Sequence, residues 1–485
     1  MGICANWTYL LSSHRKLYAE FAIRHPNAFY LRTRQRGMQN WDGKIHYINK
    51  HGEFKIGLLP AVYEKCTEYG IKPKVVDMRQ PLPKVSKVVT KIGEYKLRPE
   101  QEKAVKAVIN NKVGKVPFQI GVLDYTVNAG KTLIMSSLYL SYKKQLKTLL
   151  ITNDSDWLNQ ARDEFKKYLP GEQITFVQGK VLNWSNFTIG MVQSISRNMR
   201  FYQNELAKVD MVLVDEADQA GSKQYQNVLT RLFNTRVRIG LSGTIYMSKL
   251  AKDKVKNMNL EVFFGKVLAE FKLKDSIKKG YSTRTIVKMV PSKPWYGNWE
   301  SEEVSYKEVY DDSITFNKYA RKMVYARLKW NIKQGRYPAL VVCKFIAHCE
   351  KLCKYFKKKL GSKYNIACVH VDTPSKIRQQ IMKDFREGKI DILVSTTIIA
   401  RGKNFPKLRY LLNAASMDSQ EKSIQFLGRL VRTDSSKKKV YLDDLHYPGP
   451  YLNRHGKHRK QYYQKQELKV ILLEKIWKNH PIHSL

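Results

Sequence analysis

Four short clusters in this 485-residue sequence hold residue types that suit a phosphate site. Asn128-Ala129-Gly130-Lys131-Thr132 follows an apolar run and matches the G-K-T end of a phosphate loop, although Tyr125 stands where that pattern has its first glycine. A loop that enters a helix N-terminus offers backbone N–H groups and a positive dipole to phosphate. Lys131 would reach the β and γ phosphates of ATP, and the Thr132 hydroxyl would ligate Mg2+. The plain alternative is a turn with an exposed lysine. Further on, apolar Val212-Leu213-Val214 ends in Asp215-Glu216-Ala217-Asp218. At a buried strand end Asp215 can hold the metal ion, and Glu216 can orient and deprotonate an attacking water. Leu241-Ser242-Gly243-Thr244 follows another apolar run. Lastly, in Gln425-Phe426-Leu427-Gly428-Arg429-Leu430-Val431-Arg432 the two arginines lie three apart, on one helical face. They could neutralise charge on a transferring phosphoryl group, or simply form a basic helix face.

The elements around these clusters suggest how they are positioned. Short apolar runs at Phe118–Leu123, Thr148–Thr152, Thr188–Val192, Met211–Val214 and Arg238–Ser242 alternate with helical stretches such as Glu100–Ile109 and Trp157–Tyr168. That alternation predicts a parallel sheet covered by helices. After a connector at Pro291–Glu303, the pattern resumes with strands at Ala339–Val342, Ile366–Val371, Ile390–Ser395, Tyr410–Asn413 and Lys439–Leu442. The fold class is therefore α/β, with two tandem halves. The first ninety residues read as a small α+β module: a hairpin over Trp41–Ile56, a helix over Leu58–Tyr69, and a linker at Pro81–Lys91. The expected domains are 1–90, 91–284, 285–446 and a basic tail, 447–485, helical from about Gln461.

Composition narrows the class. Lys and Arg number 87 against 42 Asp and Glu, a formal charge of +45, with 43% hydrophobic residues. The apolar share excludes a disordered basic tail. The charge calls for a polyanion: nucleic acid first, an anionic membrane surface second. No apolar run reaches the roughly 18 residues that a membrane span requires. The N-terminus lacks the signal-peptide pattern, and Asn6 replaces the Ser or Thr of a myristoylation signal. Six Cys are too few for a disulfide scaffold, and Cys349 with Cys353 has no second pair at metal-ligand spacing, so buried thiols in a reducing interior are expected.

Taken in order, the clusters resemble the motif set of the superfamily-two helicases, over residues 97 to 432. Leu97-Arg98-Pro99-Glu100-Gln101 is similar to the adenine-reading motif, with Arg98 and Gln101 at the base. Asn128, Ala129, Gly130, Lys131 and Thr132 form motif I, D-E-A-D motif II and S-G-T motif III. Ser395-Thr396 through Gly402 and Asn404 resembles motif V, and Gln425–Arg432 motif VI. The resemblance implies two RecA-like domains, Mg2+-dependent ATP hydrolysis and catalytic roles for Glu216, Asp215, Lys131, Arg429 and Arg432. It gives nucleotide contacts to Gly402, Asn404 and Gln425. Despite the literal D-E-A-D, S-G-T and Q-x-x-G-R-x-x-R differ from the S-A-T and H-R-x-G-R of DEAD-box RNA helicases. They are similar to the DNA-acting XPB and UvsW groups. The UvsW-type recombination and repair helicases of tailed bacteriophages match over nearly the whole chain. The matching segments include Asn40-Trp41-Asp42-Gly43-Lys44-Ile45 and the spacing of Leu452, His455-Gly456, Arg459 and Tyr463. The chain departs from that group at Asp218 and at Asn153–Asp156, where motif Ia has a P-T-type turn.

The resemblance also implies nucleic-acid contacts at Gln160, Gln193, Ser194, Lys344 and Thr396. Trp41 and Lys44, with Arg32, Arg34 and Arg36, make the N-terminal module a second candidate, in which Trp41 either stacks on a base or sits under the hairpin. Arg454–Lys460 with Tyr462 and Tyr463 reads as a third basic-aromatic patch. The expected partner is forked or branched DNA bound without sequence preference, together with a single-strand-binding or recombination protein. The expected state is a monomer in the host-cell cytoplasm, off the membrane. The expected work is unwinding, branch migration or remodelling in replication, recombination or repair. A double-stranded DNA translocase, an RNA helicase and a virion-associated DNA-binding protein with a vestigial motor stay open as alternatives.

Overall fold

The structure, a computed structural model, describes residues 1–3, 7–10, 15–35, 38–153, 155–245, 251–292, 304–400, 405–418, 423, 426–428, 430–431 and 437–473. It divides into two compact units, Met1–Phe271 and Lys272–Leu485.

Each unit is built on a seven-stranded sheet. In the first, β1 (Ile120–Tyr125), β2 (Thr148–Thr152), β3 (Ile174–Val177), β4 (Phe187–Met191), β5 (Met211–Asp215), β6 (Val237–Ser242) and β7 (Val267–Phe271) lie in the order β3-β4-β2-β5-β6-β1-β7. The second contains β8 (Arg284–Pro291), β9 (Ala339–Cys343), β10 (Ile366–Val369), β11 (Ile392–Thr396), β12 (Tyr410–Asn413), β13 (Lys439–His446) and β14 (Lys469–Leu472). Their order is β10-β11-β9-β12-β13-β8-β14. Counted from its own first strand, each sheet has the same order, and all ladders in both are parallel. These are tandem RecA-like domains. Parallel neighbours require crossover connections, usually helices, which cover both faces. That is why β1, β2, β5, β6, β9, β11 and β12 are buried along their whole length.

The N-terminal module is part of the first unit's core. Ile3, Leu17, Phe54, Ile56, Leu58, Leu59 and Val62 join Phe118, Ile120, Val122 and Val212 in one apolar cluster. The contact reaches backbone level at Gly57, where a Cβ would stand 2.2 Å from the Glu261 carbonyl oxygen. Tyr47 adds a 3.0 Å hydrogen bond to Asn259 Oδ1. The hairpin expected over Trp41–Ile56 does not form as one ladder. Lys44–His46 pairs with Ala22–Arg24, and Glu53–Lys55 pairs with Trp7–Tyr9, leaving a single bridge between Ile48 and Phe54. The helix from Leu59 to Glu68 agrees with its spacing.

The C-terminal segment also differs from expectation. A helix spans Leu452–Lys465, starting well before Gln461, and β14 follows at the sheet edge. Leu452, His455, Arg459 and Tyr463 form its buried face. Gly456 belongs there because a Cβ would meet the His446 ring at 2.2 Å. Arg459 and Tyr463 are thus core residues, not part of an exposed patch. The Arg459 guanidinium grips the Asp444 carboxylate at 2.8–3.1 Å and also donates to the Met417 and Leu445 carbonyls. Tyr463 and Asn413 complete the carboxylate's bonds at 2.7 and 2.9 Å. On the other face of β13, Asp443 is held in the same way by Arg327, Asn331 and Tyr410. Burial works to lower the Arg459 pKa, but Asp444 outweighs it and the net shift is upward.

Losing one partner of a buried pair strands the other charge, at a cost of about 3–5 kcal/mol. Arg459→Leu should therefore lower the urea midpoint of the second unit sharply. An Arg459→Leu/Asp444→Leu double variant should recover much of the loss. Equal midpoints for wild type and the single variant would show that the pair is dispensable.

Candidate nucleotide and nucleic-acid site

All seven strands of the first sheet point the same way, so the segments after β1, β2, β4, β5 and β6 emerge along one edge. Open α/β sheets bind ligands at that edge. Thr126–Thr132 follows β1, Asn153 follows β2, Val192–Ser194 follows β4, Glu216–Gln219 follows β5, and Gly243-Thr244 follows β6. The motifs are far apart in sequence and adjacent here.

The phosphate loop ends in Gly130 at φ 72°, the N-cap of the helix Lys131–Ser141. That left-handed turn aims the first free N–H groups of the helix into the loop. A Cβ on Gly130 would lie 2.3 Å from Gln101 Nε2. The Gln101 amide clamps this loop: Nε2 donates to the Ala129 carbonyl at 2.8 Å, and Oε1 accepts from the Arg98 N–H at 2.8 Å. Arg98 Nη1 donates to the Asn128 carbonyl at 3.3 Å. The two residues expected at the adenine therefore also hold the loop from the helix Pro99–Ile109.

Lys131 reaches across to the end of β5. Its ammonium is 3.2 Å from Asp215 Oδ1 and 4.0 Å from Glu216 Oε1. Burial works to lower its pKa, but the two carboxylates outweigh burial and hold the ammonium above its ordinary range. Glu216 sits at φ 52°, a left-handed conformation that costs energy for a non-glycine residue, and such strain gathers at functional sites. Asp215 is buried at the strand end while Glu216 remains partly open to solvent.

The fourth letter of D-E-A-D couples to S-G-T. Ser242 Oγ donates to Asp218 Oδ1 at 2.8 Å and lies 3.0 Å from Thr244 Oγ1. Burial pushes the Asp218 carboxyl above its usual pKa, opposed by the Ser242 bond. Gly243 lets the end of β6 press against the end of β1: a Cβ there would stand 2.9 Å from Thr126 Cα and 3.1 Å from the Tyr125 carbonyl oxygen. The S-G-T spelling is a packing requirement of this chain.

A second chain of polar contacts runs outward along the same edge. Gln193 Nε2 donates to the Asn153 carbonyl at 3.2 Å, and Asn153 Nδ2 donates to Gln219 Oε1. Neither Asn153 nor Gln219 carries a role by sequence: Asn153 shows only as the start of the break in the motif Ia pattern, and Gln219 only as the residue after D-E-A-D. Ser194 lies in the adjoining short helix Val192–Arg197. Gln160 is on the helix Ser155–Tyr168, with its side chain outside the described residues.

In the second unit, Thr396 ends β11 and Lys344 follows β9; Cys343 and Thr396 are register partners, so both candidates share that sheet's carboxyl edge. Thr396 is buried, and the Lys344 ammonium lies 3.7 Å from the centroid of the Tyr306 ring. Gly402, Asn404, Gln425, Arg429 and Arg432 lie outside the described residues.

In the N-terminal module Lys44 is exposed, whereas Trp41 is half-buried and donates its indole N–H to the Lys44 carbonyl at 2.9 Å. The exposed aromatics there are others: Phe29 at 80% and Tyr30 at 55%, on the helix Ala28–Arg34 with exposed Arg32 and Arg34. The sequence signal was the Phe-Tyr pair beside those arginines, but an aromatic pair in sequence reads equally well as core.

Residues 94–247 match the family described as type III restriction enzyme, res subunit, and residues 321–434 match the helicase conserved C-terminal domain. The chain belongs to the superfamily-two helicases, a family of ATP-hydrolysing enzymes. It is similar to the ATP-dependent DNA helicase uvsW of Enterobacteria phage T4, with 22% identity over 84% of this chain and 82% of that one. It is also similar to the helicase IRC3 of Saccharomyces cerevisiae, with 23% identity over 72% of this chain. The chain spans about half of IRC3's length, 51%. Among solved structures, S. cerevisiae Dbp5 bound to RNA and ADP BeF3 shares the fold at a TM-score of 0.53, with 14% identity over 78% of this chain and 91% of that one.

Gly243→Ala, which would spell the motif S-A-T, should cost about 1–3 kcal/mol of stability, as overpacking does. It should also lower ATP turnover, because β1 carries the phosphate loop. Thermal unfolding and ATPase assays equal to wild type would show that the two strand ends can part freely.

Proposed function

We propose that this helicase is an ATP-driven motor acting on forked or branched DNA, in phage replication, recombination or repair. The observation that carries the motor reading is the Lys131–Asp215–Glu216 cluster at the helix N-terminus beyond β1. In it, a phosphate-binding lysine waits on the two carboxylates that metal-assisted hydrolysis needs.

ATP phosphates entering the loop would draw the Lys131 ammonium off Asp215 and Glu216, because they carry more negative charge. The donor set fits Mg2+, a hard ion usually held by one or two carboxylates plus substrate phosphates. Asp215 and the Thr132 hydroxyl would hold it. Bound there, the ion neutralises phosphate charge. Glu216, once released by Lys131, would take the proton from the attacking water, and Arg429 and Arg432 would stabilise the charge developing on the phosphate. Arg98 and Gln101 would give up part of their grip on the loop to read the adenine, with Gly402, Asn404 and Gln425 as further nucleotide contacts. Asp218, Ser242 and Thr244 would carry the state of the site to Gln219, Asn153 and Gln193 along the same edge.

For the substrate, the phage relative named as a DNA helicase covers most of both chains and favours DNA. Gln160, Gln193, Ser194, Lys344 and Thr396 would contact the strand. Residues 1–90 would serve as a nucleic-acid-binding module, ahead of motor domains at 91–284 and 285–446 and a basic segment from 447 to 485. In that module Phe29 and Tyr30 would stack on bases at a fork while Arg32, Arg34 and Lys44 hold phosphates. Among the described residues no helix is long and apolar enough to cross a membrane. A host-cell cytoplasmic monomer working with a single-strand-binding or recombination protein completes the proposal.

Lys131→Ala should lower ATP turnover by at least ~100-fold, the scale of losing one charge-stabilising group. Glu216→Gln should bind ATP and DNA yet turn over slowly. DNA-stimulated ATPase retained in Lys131→Ala would remove the motor reading, and stimulation by duplex RNA but not by forked DNA would favour an RNA helicase. Phe29→Ala/Tyr30→Ala should unwind forked DNA roughly tenfold more slowly, on the scale of one lost stacking contact. Its DNA-free ATPase should match wild type. Unwinding at the wild-type rate would take the wedge role from this pair.

A further inference from the structure

The β14 end of the second sheet has one covered face and one that is open toward the amino ends of its strands, while Val290, Asp443 and Leu445 farther along that face are buried. Along β8, Thr285, Val287 and Met289 are buried, while Arg284 is exposed and Ile286 and Lys288 are half-buried. On β13, Val440 and Leu442 are buried, Lys439 is exposed and Tyr441 half-buried. Arg284 pairs with Lys439, Ile286 with both Tyr441 and Lys469, and Lys288 with Asp443. Register partners project from the same face. Arg284, Lys288, Lys439 and Lys469 therefore gather on the open face, with Lys469 exposed on β14. The neighbouring helix Lys318–Lys333 adds Trp330, 43% exposed. Arg336 stacks 3.6 Å from the Tyr441 ring centroid and 4.8 Å from that of Trp330, and Lys288 lies 4.7 Å from the Trp330 ring.

Like charges directly opposite on a sheet destabilise it, and Arg284 faces Lys439. The carboxylate on this face of β13, Asp443, is already bonded to Arg327, Asn331 and Tyr410. Burial, with Arg327 and Arg336 and against Asp443, holds Lys288 below its ordinary pKa. Arg284 and Lys439 begin their strands. The surface thus lies toward the amino ends of the sheet, opposite the edge that carries Lys344 and Thr396.

We propose that this open face is a second nucleic-acid contact, where the phosphates of a single strand lie on Arg284, Lys288, Lys439 and Lys469 and a base stacks on Trp330. Cations on three neighbouring strands, about 5 Å apart per strand, suit a run of phosphates better than a single small anion. An exposed indole among them suits a base, which stacks without regard to sequence. The contact goes beyond the motor reading, whose strand contacts lie at the carboxyl edges of the sheets and in the N-terminal module. It would hold a strand away from the motifs.

The test uses the full chain and a fluorescein-labelled single-stranded DNA, followed by anisotropy across a salt series. Arg284→Ala/Lys439→Ala/Lys469→Ala removes three exposed cations from the face. Lys357→Ala/Lys358→Ala/Lys359→Ala removes three from the helix Ile346–Leu360 and serves as the charge-matched reference. The first variant should bind about tenfold more weakly, and its slope in log salt should be shallower by roughly two to three. The reference should stay near wild type. A bromodeoxyuridine strand should crosslink to the peptide containing Trp330 in wild type and lose that crosslink in the first variant. Unchanged binding by the first variant, equal weakening by the reference, or lost binding of poly-glutamate with DNA binding intact overturns the proposal. A wild-type chain that binds no DNA would remove the motor reading as well, whereas wild-type binding with an unaffected first variant removes only this one.

Discussion

Parallel pairing is the constraint on which the rest of the structure depends. Once all seven strands of a sheet run one way, every connection must cross over the sheet, and every strand end reaches the same edge. Loops as distant as Asn128 and Thr244 are then neighbours without any dedicated contact to bring them together. The same constraint acts twice, since both sheets share one strand order. The buried strands also explain the apolar runs: with helices on both faces no strand has a wet side.

On the first sheet's edge, electrostatics is arranged in tension. Asp215 and Glu216 hold the buried Lys131 ammonium above its ordinary range, and Lys131 pairs in turn with the buried Asp215. A polyphosphate can join that balance by offering Lys131 a stronger partner. The surrounding packing allows little slack. Gly130 is pinned by Gln101 and Gly243 by Thr126, so a shift at the phosphate loop has few places to go except into neighbouring strand ends. Just beyond Glu216, Asp218, Ser242 and Thr244 form a buried hydrogen-bonded group that ties the end of β5 to the end of β6.

Charge is handled differently elsewhere. Asp443 and Asp444, adjacent in β13, point to opposite faces, and each is neutralised by one buried arginine. The large positive excess is therefore not all surface charge. Arg327 and Arg459 are buried and structural, whereas Arg284, Lys439 and Lys469 are exposed.

The sequence by itself determined the class of chemistry and the sheet type. Glycine, lysine, threonine and paired carboxylates at strand ends leave little other use, and strand-length apolar runs between helical stretches require parallel pairing. Five strands of each sheet were legible in this way, whereas β3, β7, β8 and β14 were not. Tertiary structure alone decided who touches whom at long range. Tyr463, read as a possible nucleic-acid aromatic, turned inward and Trp41 lies half-buried, while Phe29, Tyr30 and Trp330 turned outward. An aromatic has the same sequence signature in either place, and only the neighbours available for burial separate them. The early start of the C-terminal helix was hidden by Gly456, whose reason is the His446 ring. The Trp41–Ile56 hairpin is replaced by pairing of its strands with Ala22–Arg24 and Trp7–Tyr9. Pairing energy depends on the partner surface, and one strand's sequence does not contain it.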